Sequence, residues 1–187
     1  MLLIEAIRSR RSVRAYTPRV VEEPTVRALL RAAVQAPSAI NLQPWRFSIV
    51  QSVAQLRRYS DRAKAALLAA SATDHHSGHY AALLEDPGFN IFYDASTLVV
   101  IGVEARGTYS DADCWLAAEN LMLAACDAGL GSCPIGFAVG LLNSPEVKAE
   151  IGLPESGAAI APIIIGYPLV VPDPVDRAEP RVLSWTR

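Results

Sequence analysis

The sequence predicts an α+β fold of the layered kind (α/β layered), with a buried sheet between helices. Three observations carry this. Leu98 to Val103 and Ile160 to Tyr167 are apolar at nearly every position, the pattern of strands covered on both faces. The stretches between them carry apolar residues at helical spacing. The 187 residues suffice for one core, and no internal repeat or linker-like composition shift marks a domain boundary.

Taken in order, Leu2 to Ser9 reads as a short helix, with apolar residues at 2, 3, 4, 6 and 7. Glu22-Glu23-Pro24 opens a second helix, since acids and proline suit a first turn, and Pro37 closes it. Residues 36–47 hold two prolines among small and amide side chains, a rigid loop able to present backbone groups to a ligand. Arg46 to Gln51 is a short strand, and Ser52 with Gln55 is a capping-box pair starting an alanine-rich helix to about Ala70. The pattern weakens from Ser71 to Asn90, which reads as an excursion or lid. After the strand at Leu98, Ser110-Asp111-Ala112-Asp113 caps a helix through Ala128, stopped by Gly129. Ser132 to Val139 reads as a further strand, and Asn143-Ser144-Pro145 as the start of a short helix ended by Gly152. After the strand at Ile160, the proline-studded tail 168–187 has little periodicity, and Trp185 reads as an anchor on another surface.

The formal charge of −2 argues against general nucleic-acid binding, which needs a basic surface. At 51% hydrophobic and 19% charged, the chain is apolar enough to bury surface between subunits as well as within one. No basic region followed by an apolar run stands at the N-terminus, and no apolar run reaches the ~20 residues of a membrane span. A soluble, cytoplasmic protein is expected. Cys114, Cys126 and Cys133 form no CxxC and read as reduced thiols.

Arg8-Ser9-Arg10-Arg11-Ser12-Val13-Arg14 places four arginines and two serines in seven residues. The guanidinium fork matches phosphate oxygens two at a time, and each charge-assisted hydrogen bond contributes about 1.5–3 kcal/mol. A solvated helix end is the competing reading. Gly129 to Phe137 brackets Pro134 with glycines, a bare backbone that lets a flat ligand approach and an N–H donate from near Gly136. It is not a dinucleotide fingerprint, since Pro134 stands at the third glycine position, and neither a phosphate-binding P-loop nor GxSxG occurs. His75 and His79 would share a helix face with His76 between them, but no acid or cysteine is spaced to complete a metal site, so no metal is expected.

Together Arg10-Arg11-Ser12-x-Arg14-x-Tyr16, Ala36-Pro37-Ser38-x-x-Asn41-x-Gln43-Pro44-Trp45 and Leu130-Gly131-Ser132-x-Pro134-Ile135-Gly136 resemble the FMN-dependent nitroreductase family over nearly the whole chain. The resemblance implies one nitroreductase-like FMN-binding domain over 1–187, with a lid excursion at about 71–93 and the tail 168–187. It implies a central, mostly antiparallel sheet surrounded by helices, in an intertwined homodimer with FMN at the subunit interface. Arg10, Ser12 and Arg14 resemble phosphate and flavin-edge ligands, and Arg11 a donor to the ring or ribityl chain. Pro37, Ser38, Ala39 and Asn41 resemble the loop reaching the flavin from the partner, and Asn90 a ligand of its pyrimidine or ribityl side. Pro134, Ile135 and Gly136 resemble the strand near N5, and Arg181 a late basic residue completing the phosphate site. Two positions depart from the family pattern: many members carry a glutamate before the glycine of the third motif, where here Ile135 is directly followed by Gly136 and Phe137, and many carry a lysine three residues after the lid asparagine, where Tyr93 stands.

The implied activity is that of an NAD(P)H oxidoreductase. NADPH or NADH reduces FMN, and a nitro, quinone or related small-molecule acceptor is then reduced in a ping-pong cycle. The chemistry resides at flavin N5, without a catalytic side chain. Tyr80 and Phe89 are candidates to cover the ring. Flavin fragmentation, dehalogenation or dehydrogenation on the same fold, and a non-catalytic FMN-binding protein, are the alternatives.

Overall fold

The structure is a computed structural model, and it describes residues 1–71 and 80–187. Helices α1 (Leu3–Ser9) and α2 (Glu23–Ala33) precede strand β1 (Trp45–Val50), with a short 3-10 turn at Ala39–Asn41 between them. Helices α3 (Val53–Ser71) and α4 (Ala81–Glu85) lead to β2 (Thr97–Val103), followed by α5 (Ser110–Asp127) and β3 (Gly131–Pro134). Helices α6 (Val139–Leu142) and α7 (Pro145–Glu150) precede β4 (Ala158–Gly166). The four strands form one sheet in the order β1-β2-β4-β3, antiparallel throughout. This is the helix-wrapped antiparallel sheet that the family resemblance implies.

Every residue of β2 and β4 is buried, because both faces of the sheet are covered. Side chains alternate across a strand, so Leu98 and Val100 join Leu56 and Tyr59 of α3 on one face, with Leu142 and Val147 from α6 and α7. Val99, Ile101 and Val103 join Leu121 of α5 and Val26 and Leu29 of α2 on the other. Ala117, Ala118 and Ala125 of α5 are fully buried, and their small side chains let that helix lie close on the sheet.

One irregularity lies in the middle of this sheet. Ile101 pairs with Ala161 but Gly102 pairs with Ala159, so Ile160 is an extra residue on β4. The bulge turns Ile160 onto the α5 side beside Ala161 and Ile163. It also brings the backbones together, and a Cβ on Gly102 would stand 2.4 Å from Ala158 O.

Helix α5 ends as its sequence predicts. Gly129 takes φ +72, the Leu130 N–H donates to Ala125 O at 2.8 Å and the Gly129 N–H to Cys126 O at 3.1 Å, a Schellman end that turns the chain into β3. Ser144 caps α7 through its hydroxyl, and Ser52 accepts from the Gln55 N–H.

Three expectations change. The strand expected over Ser132 to Val139 stops at Pro134, and Gly136–Ala138 is a 3-10 turn leading into α6. A short apolar run reads alike as buried strand or buried helix. Ser110 and Asp113 do not cap α5: the Ser110 hydroxyl accepts from the Gly107 N–H, and the Asp113 carboxylate accepts from the Ala39 N–H. The excursion over 71–93 contains α4, while His75, His76 and His79 lie outside the described residues. Among the described residues, no cluster of His, Cys, Asp or Glu could hold a metal, and no helix is long and apolar enough to cross a membrane.

The bulge gives the first test. Gly102→Ala drives a methyl into the Ala158 carbonyl, a rigid neighbour, and is expected to cost about 1–3 kcal/mol of stability by overpacking. Urea unfolding of the variant against the parent measures it.

Candidate functional site

The chain leaves α1 at Arg10 and runs along the edge of β3. Ser12 bridges Ser132 in parallel, and the Val13 N–H donates to Ser132 O at 3.0 Å. Farther on, Tyr16 bridges Pro168 and the Thr17 N–H donates to Tyr167 O at 2.9 Å. Two glycines make this approach possible: a Cβ on Gly131 would meet Val13 Cβ at 2.7 Å, and one on Gly166 would meet Tyr16 Cδ1 at 2.7 Å. Val13 and Tyr16 are thereby buried, while Arg14 between them is left on the open side.

Arg14 lines a cavity of about 510 Å³, a volume ordinary for a small-molecule site. Pro134, Ile135 and Gly136 line it where β3 ends. Tyr80, Tyr93 and Phe137 supply aromatic walls, Tyr80 meeting Phe137 edge-on at 5.4 Å. The backbone at Gly136 is not left-handed, and among the described residues, its chain neighbours aside, nothing lies within 4 Å of where a Cβ would stand. Neither strain nor packing among those residues calls for glycine at 136, which lines the cavity.

Cys133 also lines the cavity. Burial raises its thiol above the ordinary value, while Arg14, Ser12 and Arg10 pull the other way, so it stays protonated at neutral pH. Arg10 also faces Glu119 at 3.7 Å. Arg11 turns away: its guanidinium donates to Arg8 O, Arg10 O and Asp173 O, holding the end of α1 against the tail.

The remaining expected ligands lie elsewhere in the chain. Pro37, Ser38, Ala39 and Asn41 precede β1, the strand at the opposite edge of the sheet from β3, about 14 Å away at three strand spacings. Ile40, Asn41 and Gln43 of that loop have φ of +44, +58 and +48, and the buried Asp113 holds it through Ala39 at 3.1 Å. Arg181 lies in the exposed tail without a partner among the described residues. Asn90 does not line the cavity. Its Oδ1 accepts from the Phe92 N–H at 3.0 Å and its Nδ2 donates to Asp94 Oδ1 at 2.9 Å. Phe89 is likewise outside the lining and packs edge-on against Tyr93.

Helix α3 carries three residues that fix this segment. Ser60 Oγ accepts from the Ile91 N–H, Arg57 pairs with Asp94 at 2.9 Å, and the Lys64 ammonium donates to Asp86 O at 2.7 Å and Phe89 O at 2.8 Å. Lys64 is only 8% exposed. Sequence reasoning passed over it as one polar residue in an alanine-rich helix; the signal available was its spacing of four and seven from Ser60 and Arg57 on one helix face.

With this geometry in view, similarity to known proteins becomes informative. Residues 7–167 match the sequence profile of the nitroreductase family. The chain belongs to that family. It is 30% identical to an NADH dehydrogenase of Thermus thermophilus, over 94% of this chain and 92% of that protein. A nitroreductase with bound FMN from Bacteroides fragilis superposes at a TM-score of 0.81, with 28% identity over all of this chain and 98% of the other. An iodotyrosine deiodinase of Thermotoga neapolitana is 29% identical over 89% of each chain. In this family member Arg14 and the Pro134-Ile135-Gly136 turn line one cavity, while Arg10 and Arg11 line a separate one beside Met1 and Gly131.

Lys64→Met keeps the aliphatic stem but leaves two carbonyls without their donor. Stability is expected to fall by about 2 kcal/mol, the cost of unsatisfied partly buried acceptors. Urea unfolding measures the loss, and Lys64→Arg should recover part of it.

Proposed function

We propose that this protein is an FMN-dependent NAD(P)H oxidoreductase that reduces small planar acceptors, acting as a homodimer. The observation that carries the reading is Gly136: its bare backbone lines a cavity of about 510 Å³ with Arg14 at the wall, and among the described residues nothing lies within 4 Å of where its Cβ would stand, its chain neighbours aside. The residues suit FMN. Pro134, Ile135 and Gly136 offer a flat backbone surface for the ring. The Ile135 N–H is committed to Pro162 O, so of the two backbone donors Gly136 is the one that would be offered to the ring. Arg10, Ser12 and Arg14 would serve the phosphate and the polar flavin edge. When bound, FMN would take a hydride from NADH or NADPH and hand electrons to an acceptor in a ping-pong cycle.

The side chains have defined tasks. Arg14 places positive charge where negative charge develops on reduction. Tyr80 and Phe137 exclude water and offer ring faces to a flat acceptor. Cys133 stays neutral and takes no nucleophilic part.

A homodimer accounts for what one chain leaves unfinished. The loop from Pro37 to Asn41 leads into the sheet edge opposite β3 and does not line its own chain's cavity, so its contacts to flavin would be made in a second copy. Leu3, Ile4 and Ile7 on α1 are at least half exposed, as are Leu183 and Trp185 in the tail, apolar surface that an intertwined partner would cover. Arg181 in that tail would then complete a phosphate site. Reductive dehalogenation is the second reading, favoured by the likeness to an iodotyrosine deiodinase; release of iodide from 3-iodotyrosine under anaerobic NADPH or NADH distinguishes it.

Three results are expected. Protein loaded with FMN bleaches on anaerobic addition of NADPH or NADH, and steady-state double-reciprocal plots are parallel; intersecting lines that demand a ternary complex would refute the ping-pong cycle. Gly136→Leu weakens FMN binding at least tenfold, read by flavin fluorescence, with the thermal midpoint unchanged, since the side chain meets only the cavity. Sedimentation gives twice the 20.1 kDa chain mass, and Ile4→Glu with Ile7→Glu lowers that mass and the FMN affinity together.

A further inference from the structure

Tyr93 is a bulky residue at φ +51, followed by Asp94 at φ +53. Left-handed backbone at two successive non-glycine residues is strained and persists only where surrounding contacts enforce it. Here they do. Asn90 closes the turn from both ends of its amide, accepting from the Phe92 N–H and donating to Asp94 Oδ1. The Tyr93 N–H donates to Asn90 O at 2.8 Å, and Arg57 of α3 holds Asp94 from outside. The product of this turn is a ring in the cavity wall. Phe89 braces its edge at 5.6 Å, and the Arg14 guanidinium stands over its face at 5.9 Å.

Apart from its pull on the Cys133 thiol, Arg14 has few other constraints among the described residues. It is exposed, and among the described residues no acid lines the cavity and no carboxylate pairs with it. The nearest acid in sequence to the ring, Asp94, is already taken by Arg57 and Asn90. A long side chain in this position would spend its time in solvent unless an aromatic face held it.

We propose that Tyr93 is a positioning residue: its ring, fixed by the Asn90–Asp94 turn, holds the Arg14 guanidinium at the cavity and thereby sets how strongly the site favours reduced over oxidised flavin. The role rests on the FMN reading of this cavity. It requires the ring and not the hydroxyl. It also gives Asn90 a task through the turn, without contact to the ligand.

The test uses the FMN-loaded protein and two readouts, the affinity for oxidised FMN by fluorescence and the two-electron midpoint potential by equilibration with a reference dye. Tyr93→Phe keeps the ring and should keep the parent potential. Tyr93→Leu removes it. Tyr93→Asn removes it too, and guards against misfolding because asparagine tolerates left-handed backbone. Both should lower the preference for reduced FMN about tenfold, equal to ~30 mV for a two-electron couple. Arg14→Gln should lower the potential at least as far, and adding Tyr93→Asn to it should change nothing more. A parent potential in Tyr93→Asn, or the same shift in the Arg14→Gln background, overturns the proposal. Parent protein that takes up no FMN overturns the flavin reading itself, and this role with it.

Discussion

The docking of residues 12–17 along the edge formed by β3 and the end of β4 is the constraint on which the site depends. It is made of a few backbone hydrogen bonds, among them Val13 N–H to Ser132 O and Thr17 N–H to Tyr167 O. Its separation is set by what is absent, the Cβ atoms of Gly131 and Gly166. Were the two backbones a methyl group farther apart, Val13 and Tyr16 would not both be buried, and Arg14 would not project over the turn that follows Pro134. The guanidinium and the bare Gly136 backbone face one cavity because two segments, more than a hundred residues apart in sequence, share this edge.

The sheet makes that edge rigid. β4 lies between β2 and β3 and is buried along its full length, with helices on both faces. The bulge at Ile160 keeps large apolar side chains directed at α5 through the middle of the strand, and Gly102 permits the close backbone approach that the bulge requires. The opposite wall is built differently. The segment from Asp86 to Asp94 has little regular structure, and its shape comes from side chains of α3: Lys64, Ser60 and Arg57 each hold a different part of it. One side of the cavity is thus sheet backbone, and the other is a loop tied to a helix by polar contacts. On general grounds the second side has the lower local stability.

Much of this organisation was legible in the sequence. Continuous apolar runs marked β2 and β4, and proline, glycine and acid positions marked the ends of α2, α5 and α7, because those signals are local and chemical. The three motifs were visible as motifs. What periodicity missed was the end of β3: Phe137 to Leu142 is apolar enough for strand or helix, and only the packing of α6 against the sheet separates them. The cap expected from Ser110 and Asp113 failed for a related reason. Both side chains found backbone donors outside their helix, at Gly107 and Ala39, that sequence spacing does not reveal.

The sequence by itself determined most of the helices, the two central strands and their burial, and that arginines and a glycine-bracketed turn were present in the chain. These follow from residue type and short-range spacing. The tertiary structure decided which of those residues share a cavity. It placed Arg14 beside Gly136, turned Arg11 back onto the end of α1, and set the loop from Pro37 to Asn41 across the sheet. It also drew Asn90 into a turn that presents Tyr93. The reason is physical: a side chain's partner depends on strand order and on backbone separations of a few ångströms between distant segments, and neither quantity is encoded in the local pattern of the chain.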